Sequence, residues 1–227
     1  TAAGAGALAA ITQSCVRPSI VEFFDEPTLA NIDDHRDAGL RARGASLLLI
    51  ELDGFGIDEQ LRELTAALTA VGGRVEVPAD ADAEALWELR RSGRGVDPDV
   101  WFAGGDLAVP KSRIPEIYAF FSELEARHGV SVSAVAHAGD GNLHPLITLA
   151  IPAGADPSDP PAALHEAADD LVRRALSLGG TVSGEHGIGS VKRELAAVEL
   201  SDRVRAAQHA IKAALDPAGV LNPGKAI

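Results

Sequence analysis

The 227 residues contain one cysteine and no methionine. A lone thiol closes no internal disulfide and rules out a thiolate-rich structural zinc site, so Cys15 reads as a small buried residue. With no methionine, position 1 is read as a cut, and the chain is expected to be a piece of a longer one. Cations are also scarce: 20 Lys and Arg stand against 33 Asp and Glu, for a net charge of -13. Such a surface has no basic stripe with which to neutralise phosphates, which argues against nucleic acid as a partner. The longest apolar run, ASLLLI at 45–50, is far too short to span a bilayer. The Ala-rich start lacks the basic flank and long apolar stretch of a signal peptide. A soluble, cytoplasmic protein with a small molecule or another protein surface as partner is therefore expected. No GxxxxGK[ST] and no strand-bound GxGxxG occurs, so no nucleotide site is expected in this chain.

What the chain does have is 46% hydrophobic residues, enough for the core of one large domain or two lobes. Strand signals fall at 19–24, 45–53 and 74–77, separated by helical patterns. The clearest helix is 57–71, with Ile57, Leu61, Leu64, Leu68 and Val71 at three- and four-residue steps and Gly72-Gly73 as its stop. A second helix covers 82–91. From residue 100 the order is strand 100–108, helix 112–128, strand 130–138, strand 143–151, helix 161–178 and strand 181–183. That βαββαβ order predicts an α+β ferredoxin-like unit, an antiparallel sheet with helices on one face. The first half fits the same template if a front strand is missing, with a helix from about residue 5 and an inserted helix at 26–43. Residues 1–97 and 98–227 are thus read as duplicated ferredoxin-like halves, the second followed by C-terminal helices near 191–199 and 202–215. PAGADPSDPP at 152–161 reads as a surface loop within the second half.

Only seven histidines are present, and two of them flank a glycine-rich centre in AVAHAGDGNLHPL at 134–146. A two-residue Asp140-Gly141 turn would pair His137 with His144, with β-carbons about 4.5–5.5 Å apart. Alone, that motif is also compatible with an ordinary surface pair beside a tight turn. GTVSGEHGIG at 180–189 ends another predicted strand and adds Glu185 and His186, although its glycines could equally shape a helix entry. Two imidazoles and a carboxylate leave a divalent ion with open positions, as catalytic sites do. In an extended segment Glu185 and His186 point to opposite sides, which would leave His186 free for proton transfer. Arg90, Arg91 and Arg94 could bind a carboxylate or be a solvated cluster. Asp106 could be a turn residue, and Lys192 and Arg193 could cover a helix start.

HAGDGNLHP at 137–145, SGEHGIG at 183–189 and LDPAGVLNPGK at 215–225 together resemble the C-terminal part of FAD-linked 2-hydroxyacid oxidases and dehydrogenases. These vanillyl-alcohol-oxidase-type flavoproteins include the D subunit of glycolate oxidase, D-lactate dehydrogenase and D-2-hydroxyglutarate dehydrogenase. Looser similarity in ELDG at 51–54, LWELR at 86–90 and DLAVPKSRIPE at 106–116 extends the resemblance over most of the chain. The resemblance implies a cap, or substrate, domain whose FAD is held mainly by an N-terminal domain absent from this chain. It implies that His137, His144 and Glu185 hold a divalent metal, zinc or a similar ion, that His186 is the base, and that Arg90 binds the substrate carboxylate. Asn142 and Asn222 lie in motifs that approach the flavin. Leu146 and Gly104 replace an asparagine and a lysine of members that act on larger dicarboxylates, which favours glycolate or D-lactate as substrate. The parent would be an FAD-dependent 2-hydroxyacid oxidase or dehydrogenase, with this fragment alone inactive and the electron acceptor unknown. A stand-alone metal- or ligand-binding module without redox activity is the alternative, and a metal-dependent hydrolase is not removed by sequence.

Overall fold

The computed structural model describes residues 2–226, apart from the side chains at positions 2, 3 and 5. The strands are β1 (Ile20–Phe24), β2 (Leu47–Glu51), β3 (Val100–Gly104), β4 (Leu107–Ala108), β5 (Ser131–His137) and β6 (Asn142–Ala150). They form one antiparallel sheet in the order β2-β1-β5-β6-β3, with β4 continuing the β3 edge against β6. The helices are α1 (Ala2–Gln13), α2 (Glu26–Arg36), α3 (Ile57–Ala70), α4 (Asp80–Ser92), α5 (Ile114–His128), α6 (Ala162–Ser177), α7 (Arg193–Glu199) and α8 (Asp202–Leu215). No helix among the described residues is long and apolar enough to cross a membrane.

Period-two alternation sorts the strand residues onto two faces. Val21, Phe23, Val132, Ala134, Ala136, Leu143 and Ile147 enter the main core with residues of α1, α3, α5 and α6. Phe23, Ile114, Ile117 and Leu124 are fully buried there, each contributing about 1.5–3 kcal/mol relative to exposure. The opposite face carries a smaller cluster, where Phe24 and Val135 meet Leu29 and Ile32 of α2 and Leu86 and Leu89 of α4. The α+β architecture with an antiparallel sheet is as the sequence implies, and four helices pack on one face. α2 and α4 add cover to part of the other.

Local chemistry sets the helix limits. Asp25 caps α2 by accepting from the Thr28 N–H, and its second oxygen accepts from the Ala134 N–H of β5, so one buried carboxylate joins helix start to sheet. Pro115 occupies the first turn of α5, and Gly129 ends it at φ 69°.

Three expectations change. Residues 74–77 form no strand: Val75 packs on the core, but Val77 is 70% exposed and no neighbouring strand pairs with the segment. The strand expected at 181–183 is a single bridge between Thr181 and Ala108. Cys15 is exposed, because it sits in the turn after α1 with its N–H donating to the Glu63 side chain.

Gly141, at φ 91°, lies where an added β-carbon would stand 2.1 Å from the Val109 carbonyl oxygen. Gly154 has a similar φ of 84° but opens onto empty space. Gly154→Ala is expected to lose about 1–2 kcal/mol for its left-handed backbone alone. Gly141→Ala is expected to lose a further ~1–3 kcal/mol from overpacking. Urea unfolding of the two variants measures the difference, and equal losses would contradict this account.

Candidate functional site

The β5–β6 connection is not a two-residue turn. His137 pairs with Asn142, and His144 with Val135. The Asp140 and Gly141 N–H groups both donate to the His137 carbonyl, while Gly141 accepts from the Val109 N–H and Gly139 donates to the Val21 carbonyl. These contacts with neighbouring strands hold the loop open to four residues. The two histidines are therefore offset along the ladder instead of directly opposed. They still share a face, and their ring centroids are 4.9 Å apart.

Asp106, 2% exposed, organises the second motif. Its carboxylate accepts from the backbone N–H groups of Gly184, Glu185 and His186, the Ser183 hydroxyl and the Lys192 ammonium. Burial alone would raise its pKa. The N–H of His186, with Lys192, Ser183 and Glu185, reverses that and holds the carboxyl well below the usual carboxylate range. Because the backbone wraps around this carboxylate, residues 184–186 are bent, not extended. Glu185 and His186 consequently turn toward the same cluster, contrary to the expectation of opposite sides. A β-carbon at Gly184 would lie 2.1 Å from the Asn142 Oδ1 atom, so only glycine admits this approach.

The three residues implied as metal ligands come together. Glu185 Oε1 lies 3.1 Å from His144 Nε2 and 3.9 Å from His137 Nε2. One donor atom from each residue falls within 4.8 Å of the other two, so the set could hold a single divalent ion. Burial, and then the nearby His137, hold the His144 pKa below its ordinary value despite Glu185, favouring the neutral ring that ligation requires. His186 stacks on His144 at 5.2 Å between centroids, with its Nε2 3.6 Å from Glu185 Oε1.

Arg90, from α4, reaches the same cluster. Its Nη2 donates to Glu22 Oε1 at 3.0 Å, and both Glu22 oxygens lie 2.8 Å from His137 Nδ1. Arg94 donates to the His144 carbonyl at 2.7 Å and to the Ser133 hydroxyl. These groups border a cleft of about 600 Å³ whose walls include Arg90, Arg94, His137, His144, Leu146 and His186. Arg91 points elsewhere, to Glu84 and Glu88.

The asparagines differ. Asn142 is buried at the start of β6, and its Oδ1 finds no hydrogen-bond partner among the described residues. Asn222 is exposed at φ 45° on the tail, which meets the glycine-rich segment where the Ala226 N–H donates to Gly189. No hydrogen bond among the described residues joins Asn222 to the histidine cluster.

Sequence reading missed Glu22, Asp106 and Lys192 as parts of this site. The available signals were an acidic residue inside the apolar strand IVEFF and an aspartate inside a strand. Neither signal names its partners.

A family model described as FAD linked oxidases, C-terminal domain, matches residues 1–226. The glycolate oxidase subunit GlcD of Bacillus subtilis (strain 168) is 34% identical over 231 residues, covering 98% of this chain and 48% of that protein. The corresponding Escherichia coli (strain K12) subunit is 31% identical, covering 92% and 42%. A probable mitochondrial D-lactate dehydrogenase of Danio rerio is 28% identical, covering 96% and 44%. The chain thus spans somewhat less than half the length of these relatives. Among solved structures, 4-ethylphenol oxidase from Gulosibacter chungangensis superposes with a TM-score of 0.65 at 14% identity, over 99% of this chain and 51% of that one. A p-cresol methylhydroxylase superposes at 0.62 and 15%, over 99% and 50%. These two likenesses show a shared fold.

Replacing Asp106 by asparagine keeps its shape but removes its charge and part of its accepting capacity. At neutral pH the variant is expected to be less stable by on the order of 3 kcal/mol, since hydrogen bonds to a charged group are worth about 1.5–3 kcal/mol. The folded-state pKa lies below the unfolded value near 3.9. The stabilisation is therefore fully present above about pH 4 and fades as pH falls further. Denaturant melts should show a constant gap between the two proteins from pH 7 to about pH 4 and a narrowing gap below it; a gap that already closes above about pH 5, or that is absent at pH 7, would refute the assignment.

Proposed function

The chain belongs to the family of C-terminal domains of FAD-linked oxidases, and from that premise we propose that it forms the substrate domain of an oxidoreductase that converts a small D-2-hydroxy acid into the 2-oxo acid. The observation that carries this reading is the convergence of His137, His144 and Glu185 beside a cleft whose walls include both of these histidines, Arg90 and His186. Support for the substrate class comes from the glycolate oxidase and D-lactate dehydrogenase names of the relatives. Zinc or a similar ion fits the three donors. When bound, a flavin supplies the acceptor for the hydride of the α-carbon, and a divalent ion supplies polarisation of the hydroxyl.

The chain's own residues do the rest. Arg90 binds the substrate carboxylate through the N–H groups not directed at Glu22. Arg94 and Lys192, the other cations of the cleft, are held by the His144 carbonyl and by Asp106. Leu146 and Gly104 line the cleft without offering a charge to a second carboxylate, which favours a monocarboxylate such as glycolate or D-lactate. His186, with 60% of its side chain exposed, accepts the hydroxyl proton at Nε2 beside Glu185. The segments that carry Asn142 and Asn222 approach the flavin of a domain that we place N-terminal to this chain, and the chain without that domain lacks turnover. Residues 1–97 and 98–227, read as two related halves, both feed the site: Arg90 from the first, the imidazoles and Glu185 from the second.

In the protein carrying its flavin domain, His186→Ala is expected to lower kcat on D-lactate or glycolate by roughly 10²–10⁴-fold. Bound metal, measured by elemental analysis, should stay near the wild-type level. His137→Ala and Glu185→Gln should instead lose the metal itself. Full turnover by His186→Ala would sink its role as base, and absence of metal from the wild type would sink the ligand set.

A further inference from the structure

Directly opposite His137 across the β1–β5 ladder stands Glu22. It projects from the middle of a strand whose neighbours Val21 and Phe23 are core residues, and it is 3% exposed. A carboxylate that deep needs partners, because an unpaired buried charge costs several kcal/mol or more. The partners are His137 Nδ1 at 2.8 Å and Arg90 Nη2 at 3.0 Å. Arg90 Nη2 also sits 3.0 Å from His137 Nδ1. A guanidinium only donates and an ionised carboxylate only accepts. The three-body contact is consistent when Nδ1 carries the hydrogen and both donors point at Glu22. That tautomer leaves Nε2 without a hydrogen, its lone pair available as a ligand, with Glu185 Oε1 3.9 Å away and Arg90 Nη2 3.4 Å away.

We infer that Glu22 is the positioning residue of the site: one buried carboxylate sets the His137 tautomer for ligation and holds Arg90 against the cleft. The inference rests on the metal reading given above. It accounts for an acidic residue in an otherwise apolar strand. It also couples the two halves of the substrate grip, since the carboxylate that orients the ligand orients the arginine. Carboxylate–histidine–metal arrangements of this kind typically change affinity by about 10–100-fold when the outer carboxylate is lost.

The test is zinc titration of the purified protein against a chromogenic competitor, comparing wild type, Glu22→Gln and Glu185→Gln. A thermal melt of each metal-free variant checks its folding. Glu22→Gln is expected to weaken zinc binding by about 10–100-fold while still unfolding cooperatively. Glu185→Gln, which removes a proposed ligand, should bind more weakly still. A folded Glu22→Gln with wild-type zinc affinity overturns the inference and leaves the ligand set intact. A wild type that binds no zinc overturns the metal reading and this inference with it. Long-range ¹H–¹⁵N spectra of the metal-free wild type, above the imidazole titration range, give a readout that needs no variant to fold. The Nδ1–H form of His137 is expected, and the Nε2–H form would overturn the assignment.

Discussion

The site depends on one buried carboxylate that is not itself among the proposed ligands. The pairs Gly104↔Leu146 and Leu107↔Leu143 share one register, which sets Asp106 opposite His144 on the β3–β6 edge. Its oxygens gather three consecutive backbone N–H groups, a hydroxyl and an ammonium, all from residues 183–192. Each of those groups would otherwise go unsatisfied or face water, and Asp106 itself would be a buried, unpaired charge. The cheapest arrangement for all of them is one in which the glycine-rich segment folds over the hairpin. Glu185 and His186 then land on the histidines as a consequence of backbone satisfaction.

The face on which the histidines sit was legible in the sequence even though the turn was not. A two-residue connection and the observed four-residue one differ by a register shift of two. Side chains alternate with period two, so such a shift moves His144 along the strand and leaves it on the same face as His137. A shift of one would have buried one imidazole in the main core. Helix α5 was likewise readable from Pro115 and its apolar spacing, because the causes are local. Residues 74–77 show the opposite case. Strand propensity there is real, but a ladder needs an adjacent strand, and sequence alone does not say whether one is present.

Glu22 and Asp106 were illegible for a related reason. Their meaning lies in partners 68 to 115 residues away in Glu22 and 77 to 86 away in Asp106. A single acidic residue in a strand signals an exposed face by default. Only the pairing of β1 with β5 converts Glu22 from a surface charge into the neighbour of His137. Arg90 and Arg94 were visible as candidates because they cluster in sequence. The fold separates their roles, directing one to Glu22 and the other to the backbone of β6.

Charge compensation distinguishes the three carboxylates of this region. Glu22 meets Arg90, and Asp106 meets Lys192, each within hydrogen-bonding distance of a permanent cation. Glu185 has no such cation beside it among the described residues; its ion-pair neighbours are His137, His144 and His186. Burial holds the His144 pKa below its ordinary value, which favours the uncharged ring. The half-exposed Glu185 thus differs from the two buried carboxylates in having only imidazoles, and no permanent cation, as ion-pair partners among the described residues. A divalent cation, as proposed above, would meet the carboxylate charge and the imidazole lone pairs together, whereas a neutral hydrogen-bond donor would meet the lone pairs without adding charge. The two internally compensated carboxylates fix the geometry of the cluster, and Glu185 is the one that the proposed metal would compensate.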